Sequence, residues 1–294
     1  MGNWHNKSAE ETLSRIFFGL LFALHSLLLT AQPLFDSHLH YSAEDARIFK
    51  PKDIIERLTK HSISYAAVTG TPAQHVTNLY QYAPERIVPI LSVYRDRADK
   101  SNWTKDKTLT PYLKKELKHG YWRGIGELHI FADDRHSKVF KQVIALASKW
   151  QLPLLIHGDP AVIDTLYEIA PKLQVIWAHA GTYPYPDLVM NYLQRYPNLL
   201  IDVSMRDERI APKGMINDDW YELFVTYPSR FMIGVDTFSI ARWQLFNSVV
   251  ATIRNWLAQL PDDIALQIGF VNAAKLYKKP SIIKDEQKIN AVSQ

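Results

Sequence analysis

His38 and His40 stand two residues apart at the end of an apolar run, and on an extended strand that spacing turns both imidazoles to the same side. The pattern recurs along the chain. Glu127 and His129 close the run 124–130, His157 follows 153–156, His179 follows 174–178, and Asp236 follows 231–235. A lone histidine in an apolar setting is more often a satisfied core residue than a ligand. Four imidazoles and two carboxylates gathered at one end of a fold are different, because burying them together is expensive without a compensating charge. A divalent cation supplies it. Histidine and carboxylate donors without thiolate suit Zn2+, with Mn2+, Fe2+ or Co2+ as alternatives. The chain contains no Cys, so thiolate ligands, disulfides and cysteine nucleophiles are all excluded.

Other polar residues carry weaker signals. His61, His75, His119 and His136 fall in or beside amphipathic segments and read as surface residues, while His5 and His25 belong to the leading segment. His129 faces the same way as Glu127 and reads either as its supporting partner or as a contact to substrate. Arg95, Arg206 and Arg242 follow the third, seventh and eighth apolar runs, where a guanidinium can hold a carboxylate or phosphate; each also reads as a solvated or structural residue. Tyr183-Pro184-Tyr185-Pro186 fits an aromatic wall or a stiff start to a loop. No Gly-x-Ser-x-Gly elbow supports a serine hydrolase, and no glycine-rich phosphate loop follows the first run.

The elements that must position these residues alternate regularly. Short apolar runs at 34–39, 65–68, 87–93, 124–130, 153–156, 174–178, 199–203 and 231–235 alternate with helix-like segments at 52–61, 73–83, 110–119, 136–150, 160–170, 186–196, 217–227 and 240–258. Eight strand-then-helix units predict a (β/α)8 TIM barrel, whose usual size is about 250 residues. A doubly wound open sheet is the alternative. In a barrel the catalytic residues sit at the C-terminal ends of the strands, where the histidines and carboxylates fall. The polar stretch 95–110 then lies over that face, as a lid or as a plain solvated loop.

The 294 residues, 47% of them hydrophobic, suffice for one large core, and 22% charged residues with 11 Gly and 16 Pro exclude a disordered, collagenous or simple coiled-coil chain. The net charge of +4 is scattered, without the basic face or tail typical of nucleic-acid binders, so no nucleic-acid partner is expected. Residues 16–31 form one long apolar run, short for a bilayer span of roughly 20 residues, preceded by Lys7 and Arg15 and ending in Ala31. It predicts a secretory signal peptide over 1–31, and hence an exported, periplasmic protein; an uncleaved anchor, which would bring the chain to a membrane, is the alternative because Glu10 and Glu11 dilute the leading charge. The expected organisation is thus a leader at 1–31, one barrel domain at 32–278, and a polar tail at 279–294.

His38-x-His40, Glu127, His157, His179 and Asp236, in this order at successive strand ends, resemble the amidohydrolase superfamily of metal-dependent barrel hydrolases. The phrases Ile176-Trp177-Ala178-His179-Ala180-Gly181 and Gly234-Val235-Asp236-Thr237 look like its amidohydrolase-related (amidohydrolase 2-like) branch, which also contains lactonases and decarboxylases. Asn272-Ala273-Ala274-Lys275-Leu276-Tyr277 is similar to an ending common there, although helix packing explains it as well. The resemblance implies His38, His40, His157 and Asp236 as ligands of one ion, with His179 a second ligand or a proton shuttle. Glu127 departs from branches that bridge two ions with a carbamylated lysine and looks more like TatD-type hydrolases; it bridges two ions or orients a histidine.

The chemistry these ligands imply is a metal-activated water that cleaves an amide, lactone or ester of a small molecule, with Asp236 moving the proton and His179 helping to polarise the carbonyl. A decarboxylase on the same barrel, a non-catalytic binding barrel and a TatD-like nuclease are the competing expectations.

Overall fold

The computed structural model describes residues 32–280; the leader expected over 1–31 and nearly all of the tail expected over 279–294 lie outside the described residues. Eight parallel strands follow one another in sequence order: β1 (Leu34–His40), β2 (Ile63–Thr69), β3 (Ile87–Leu91), β4 (Gly124–Ile130), β5 (Leu154–Gly158), β6 (Val175–Trp177), β7 (Leu199–Asp202) and β8 (Phe231–Met232). The ring closes where Ser37 N–H donates to Ile233 O at 2.9 Å and Asp236 N–H donates to His38 O at 2.7 Å. This is the expected (β/α)8 TIM barrel. Its closing seam also brings the first and last strand-end site residues side by side.

Amphipathic helices cover the outside, among them Pro51–Lys60, Ala73–Tyr82, Leu109–Leu117, Lys138–Trp150, Pro160–Ile169, Pro186–Arg195 and Asp218–Thr226. Each turns an apolar stripe to the strands and leaves polar residues in water. The segment expected as one helix over 240–258 breaks at Leu245 into Ile240–Gln244 and Phe246–Leu257, and short helices at Ala43–Ile48 and Asp207–Ile210 went unforeseen. Among the described residues no helix is long and apolar enough to cross a membrane.

Side chains fill the barrel. Phe35, Val88, Ile90, Leu155, Ile176 and Met232 pack on Phe270, Ala273 and Tyr277, which plug the end opposite the histidines. Phe35 belongs to this base, yet His38 and His40, of opposite parity, also face inward. A register shift between Asp36 and Leu39 re-phases β1 and makes both possible. A matching irregularity in β4 sits at Gly126, whose φ of +151° favours glycine; a Cβ there would lie 2.6 Å from the Leu155 Cβ.

The stretch 95–110 is neither a bare solvated loop nor free-standing. It forms the short turns Arg97–Ser101 and Trp103–Lys105, and Trp103 is buried with its Nε1–H donating to His129 O at 2.9 Å.

Asn272 confirms the packing explanation of the C-terminal motif: its Nδ2 donates to Pro228 O at 2.8 Å and Phe231 O at 2.7 Å, tying the last described helix, Asn272–Leu276, under β8. Asn272→Ala would leave two carbonyls short of donors, at about 1–3 kcal/mol. We expect thermal unfolding to shift down by roughly 2–10 °C, on the scale for a domain of this size, with metal content unchanged because the residue lies at the far end of the barrel. Circular dichroism melts and elemental analysis check the two halves of that expectation.

Candidate metal centre

The structure gathers His38, His40, Glu127, His157, His179 and Asp236 at the C-terminal end of the barrel. Glu127 stands in the middle. Its Oε1 lies 3.0 Å from His157 Nδ1 and 3.1 Å from His179 Nε2, while its Oε2 lies 3.6 Å from His40 Nε2 and 3.8 Å from His38 Nε2. His38 Nε2 and His40 Nε2 are 3.1 Å apart. Asp236 closes the group, with Oδ1 3.2 Å from His40 Nε2 and Oδ2 3.6 Å from His179 Nε2. Donor atoms within 4.8 Å of one another form the sets His38–His40–Glu127, Glu127–His157–His179 and His38–His179–Asp202. His157 therefore groups with His179 across Glu127, whereas the resemblance had grouped it with His38, His40 and Asp236.

Several positions are held by the backbone and its neighbours. His179 lies just past β6 with φ +60°, and Asp236 just past β8 with φ +54°; these left-handed turns swing each side chain inward. Gly234 leaves room for His38, since a Cβ there would lie 2.7 Å from the His38 Cβ and 3.0 Å from Asp202 Oδ1. Thr237 Oγ1 accepts from His40 N–H at 2.9 Å and donates to His40 O at 2.8 Å.

Behind the histidines lie residues that the sequence reading missed. His38 Nδ1 is 2.7 Å from Asp202 Oδ2, so Nδ1–H donates to the carboxylate and Nε2 is turned to the cluster. His179 Nδ1 donates to Ser204 O, a pure acceptor at 3.2 Å, and lies 2.9 Å from Ser204 Oγ, which in turn donates to Asp202 Oδ2 at 2.7 Å. Its Nε2 likewise points inward, 3.1 Å from Glu127 Oε1. Asp36 Oδ1 accepts from His38 N–H and Val235 N–H, both at 3.1 Å, while Oδ2 is buried without a partner; burial pushes its carboxyl up to about 7. Asp202 could have been found by the signal that found the others, because it is an acid closing an apolar run.

His129, open in the sequence, has Nε2 3.0 Å from Glu127 Oε2 and stacks on His157 at 4.2 Å between ring centres. It supports Glu127. His61 meets Asn247 and Phe246 at the surface, as expected.

The electrostatics call for positive charge inside the ring. Burial opposes ionisation of Glu127, yet the hydrogen bonds from His129, His157 and His179 and the His38 charge hold it well below the usual carboxylate range. Asp236 is likewise lowered against burial, by His38 and then His40. Burial would pull His38 down, but Asp236, Asp202 and Glu127 push it up to about 10. Asp236 Oδ1 is buried without a well-directed hydrogen bond. Imidazole nitrogens and ionised carboxylates converging on one space fit divalent cations, which would take the place of the protons shared between them.

Residues 35–184 match the family described as TatD related DNase. No curated protein matches the chain by sequence. Among solved structures the chain is similar to a candidate 2-pyrone-4,6-dicarboxylic acid hydrolase from Pseudomonas putida, at 14% identity and a TM-score of 0.62 over 85% of this chain and 99% of that one. It is also similar to an amidohydrolase from Burkholderia multivorans with bound zinc, at 14% identity and a TM-score of 0.53 over 84% and 100%. A TatD family hydrolase from Entamoeba histolytica aligns at 10% identity and a TM-score of 0.55 over 84% and 100%. These likenesses show the barrel fold.

Asp202→Asn keeps the shape of the residue behind His38 but removes its charge. Loss of such a supporting carboxylate weakens metal affinity by about 10–100-fold. Competition with a chromogenic chelator should show that drop, and unchanged affinity would contradict the role given to Asp202.

Proposed function

This chain belongs to the TatD-related DNase family of metal-dependent barrel hydrolases, and we propose that it hydrolyses an amide, lactone or ester bond of a small molecule at a two-ion centre. The observation that carries the reading is the placement of Glu127, whose two oxygens face two different histidine pairs beside Asp236.

One ion would be held by His38, His40 and Glu127 and the other by Glu127, His157 and His179, with Asp236 beside both groups. Zn2+ suits these donors, and the Burkholderia multivorans relative of this fold holds zinc; Mn2+ is the alternative. Such ions polarise a carbonyl oxygen and lower the pKa of water towards 7.

The remaining work falls to the chain. Asp236 is ionised and its buried Oδ1 has no well-directed hydrogen bond, so it would accept the proton of the attacking water and return it to the leaving group. His179 turns Nε2 to Glu127 Oε1 at 3.1 Å, where it would serve as a ligand once a cation takes the place of the proton shared there. Asp202 and Ser204 hold the two imidazoles with Nε2 turned inward, and His129 steadies Glu127. A decarboxylase on the same ligands has no observation of its own in its favour. Phosphodiester cleavage is favoured by the family's description and is the second reading.

We further propose that residues 1–31 are a secretory leader cleaved near Ala31 and that the enzyme acts in the periplasm, supported by the apolar run 16–31 and the basic residues before it.

A panel of neutral lactones, esters and amides, a carboxylate panel read by CO2 release, and a single-stranded DNA oligonucleotide separate these activities. We expect turnover in the first panel, with Asp236→Asn lowering kcat by about a hundredfold or more. CO2 release alone would support the lyase, and cleavage of the oligonucleotide alone the nuclease.

A further inference from the structure

Four loops that leave the barrel beside the metal centre carry large apolar side chains into solvent. Phe131 follows β4, Tyr183 follows β6, Met205 follows β7 and Phe238 follows β8, with exposures of 51, 52, 39 and 59%. Single exposed apolar residues are ordinary on a surface, but four on loops that leave the same end of the barrel point to recognition there. Each lies within four residues in sequence of a group already placed in the centre or behind it: His129, His179, Ser204 and Asp236 respectively. Phe131 reaches His157 directly, edge to face at 6.4 Å between ring centres.

The rim is held in place. Asp159 joins two of its loops, with Oδ2 accepting from Ala132 N–H at 2.9 Å and Oδ1 accepting from Thr182 Oγ1 at 2.9 Å, next to Phe131 and Tyr183. Beside Met205, Arg206 donates to His179 O at 2.7 Å and Gly181 O at 3.0 Å. Thr237, beside Phe238, is bound to both backbone groups of His40. Apolar groups fixed in advance bind without the entropic cost of ordering loops.

The arginines that follow β3, β7 and β8 are held by the protein itself. Arg206 is engaged by those two carbonyls. Arg95 pairs with Asp99 at 2.9 Å and with Asp106. Arg242 donates from Nε to Val235 O at 3.0 Å, while its Nη2, 4.0 Å from Asp207, is buried without a hydrogen-bond partner.

We infer that Phe131, Tyr183, Met205 and Phe238 form the substrate-recognition rim, and that the hydrolysed molecule carries an aromatic ring beside the scissile carbonyl. The inference rests on the hydrolase reading for the word hydrolysed, and on the rim alone for the ring. Stacked and edge-to-face contacts with Phe and Tyr, and thioether contact with Met, favour a flat ring over a bare alkyl chain.

The test is equilibrium titration of the full chain with two neutral ketones that imitate an ester carbonyl and cannot be hydrolysed, 4-phenyl-2-butanone and 2-butanone. The phenyl ketone should bind about tenfold tighter or more. In Phe131→Ala/Phe238→Ala that advantage should fall severalfold, with metal content and melting temperature near those of the parent because both side chains are exposed. Equal affinity for the two ketones, or an advantage untouched by the double substitution, would overturn the inference. So would tighter binding of a single-stranded oligonucleotide that weakens steeply with salt. Because neither ketone turns over, failure of the hydrolase reading shows in the substrate panels and leaves the ketone result to stand or fall on its own.

Discussion

One carboxylate organises this molecule. Glu127 lies between two histidine pairs that come from opposite parts of the chain, and it is buried, ionised and surrounded by imidazole nitrogens. Such a residue is costly to bury unless positive charge meets it on both sides. The irregular backbone at Gly126, the re-phased register of β1 and the left-handed turns at His179 and Asp236 all bring a donor to within reach of that carboxylate or its neighbours. Remove the charge at the centre and these local departures from regular structure lose their purpose.

The barrel separates two tasks. One end is a hydrocarbon plug of Phe35, Phe270 and Tyr277, tied by Asn272, which stabilises the fold without touching the chemistry. The other end is polar and holds its histidines by hydrogen bonds reaching across strands: Asp202 to His38, Ser204 to His179, Thr237 to His40. Barrel enzymes commonly divide stability and activity between their two faces in this way. The seam between β8 and β1 matters to both, since it closes the sheet and sets Asp236 against His38 and His40.

Much of this was legible in the residues. Eight apolar runs separated by amphipathic segments imply the barrel, because strands and helices have different hydrophobic periods, and titratable residues at the run ends imply the site. Three things were not. Asp202 carried the right signal, an acid closing an apolar run, but its value lies in the contact to His38 across 164 positions. The pairing of His157 with His179 depends on β5 and β6 being neighbours in the closed ring, which spacing alone does not express. The arginines after β3, β7 and β8 suggested an anionic substrate; only the folded chain shows them bound to Asp99, His179 O and Val235 O. Local pattern encodes elements and faces, whereas the partner of a long polar side chain is settled by tertiary contact.

The central claim is that the two oxygens of Glu127 serve two ions. Elemental analysis of the purified chain, beside His38→Ala/His40→Ala, tests it most directly. Two equivalents of divalent metal in the parent, with one lost in the variant while His157 and His179 keep the other, is the result this account predicts. A parent chain that stays metal-free after incubation with Zn2+, Mn2+, Fe2+ and Co2+ would contradict it, and the six strand-end residues would then form a polar pocket held together by protons alone.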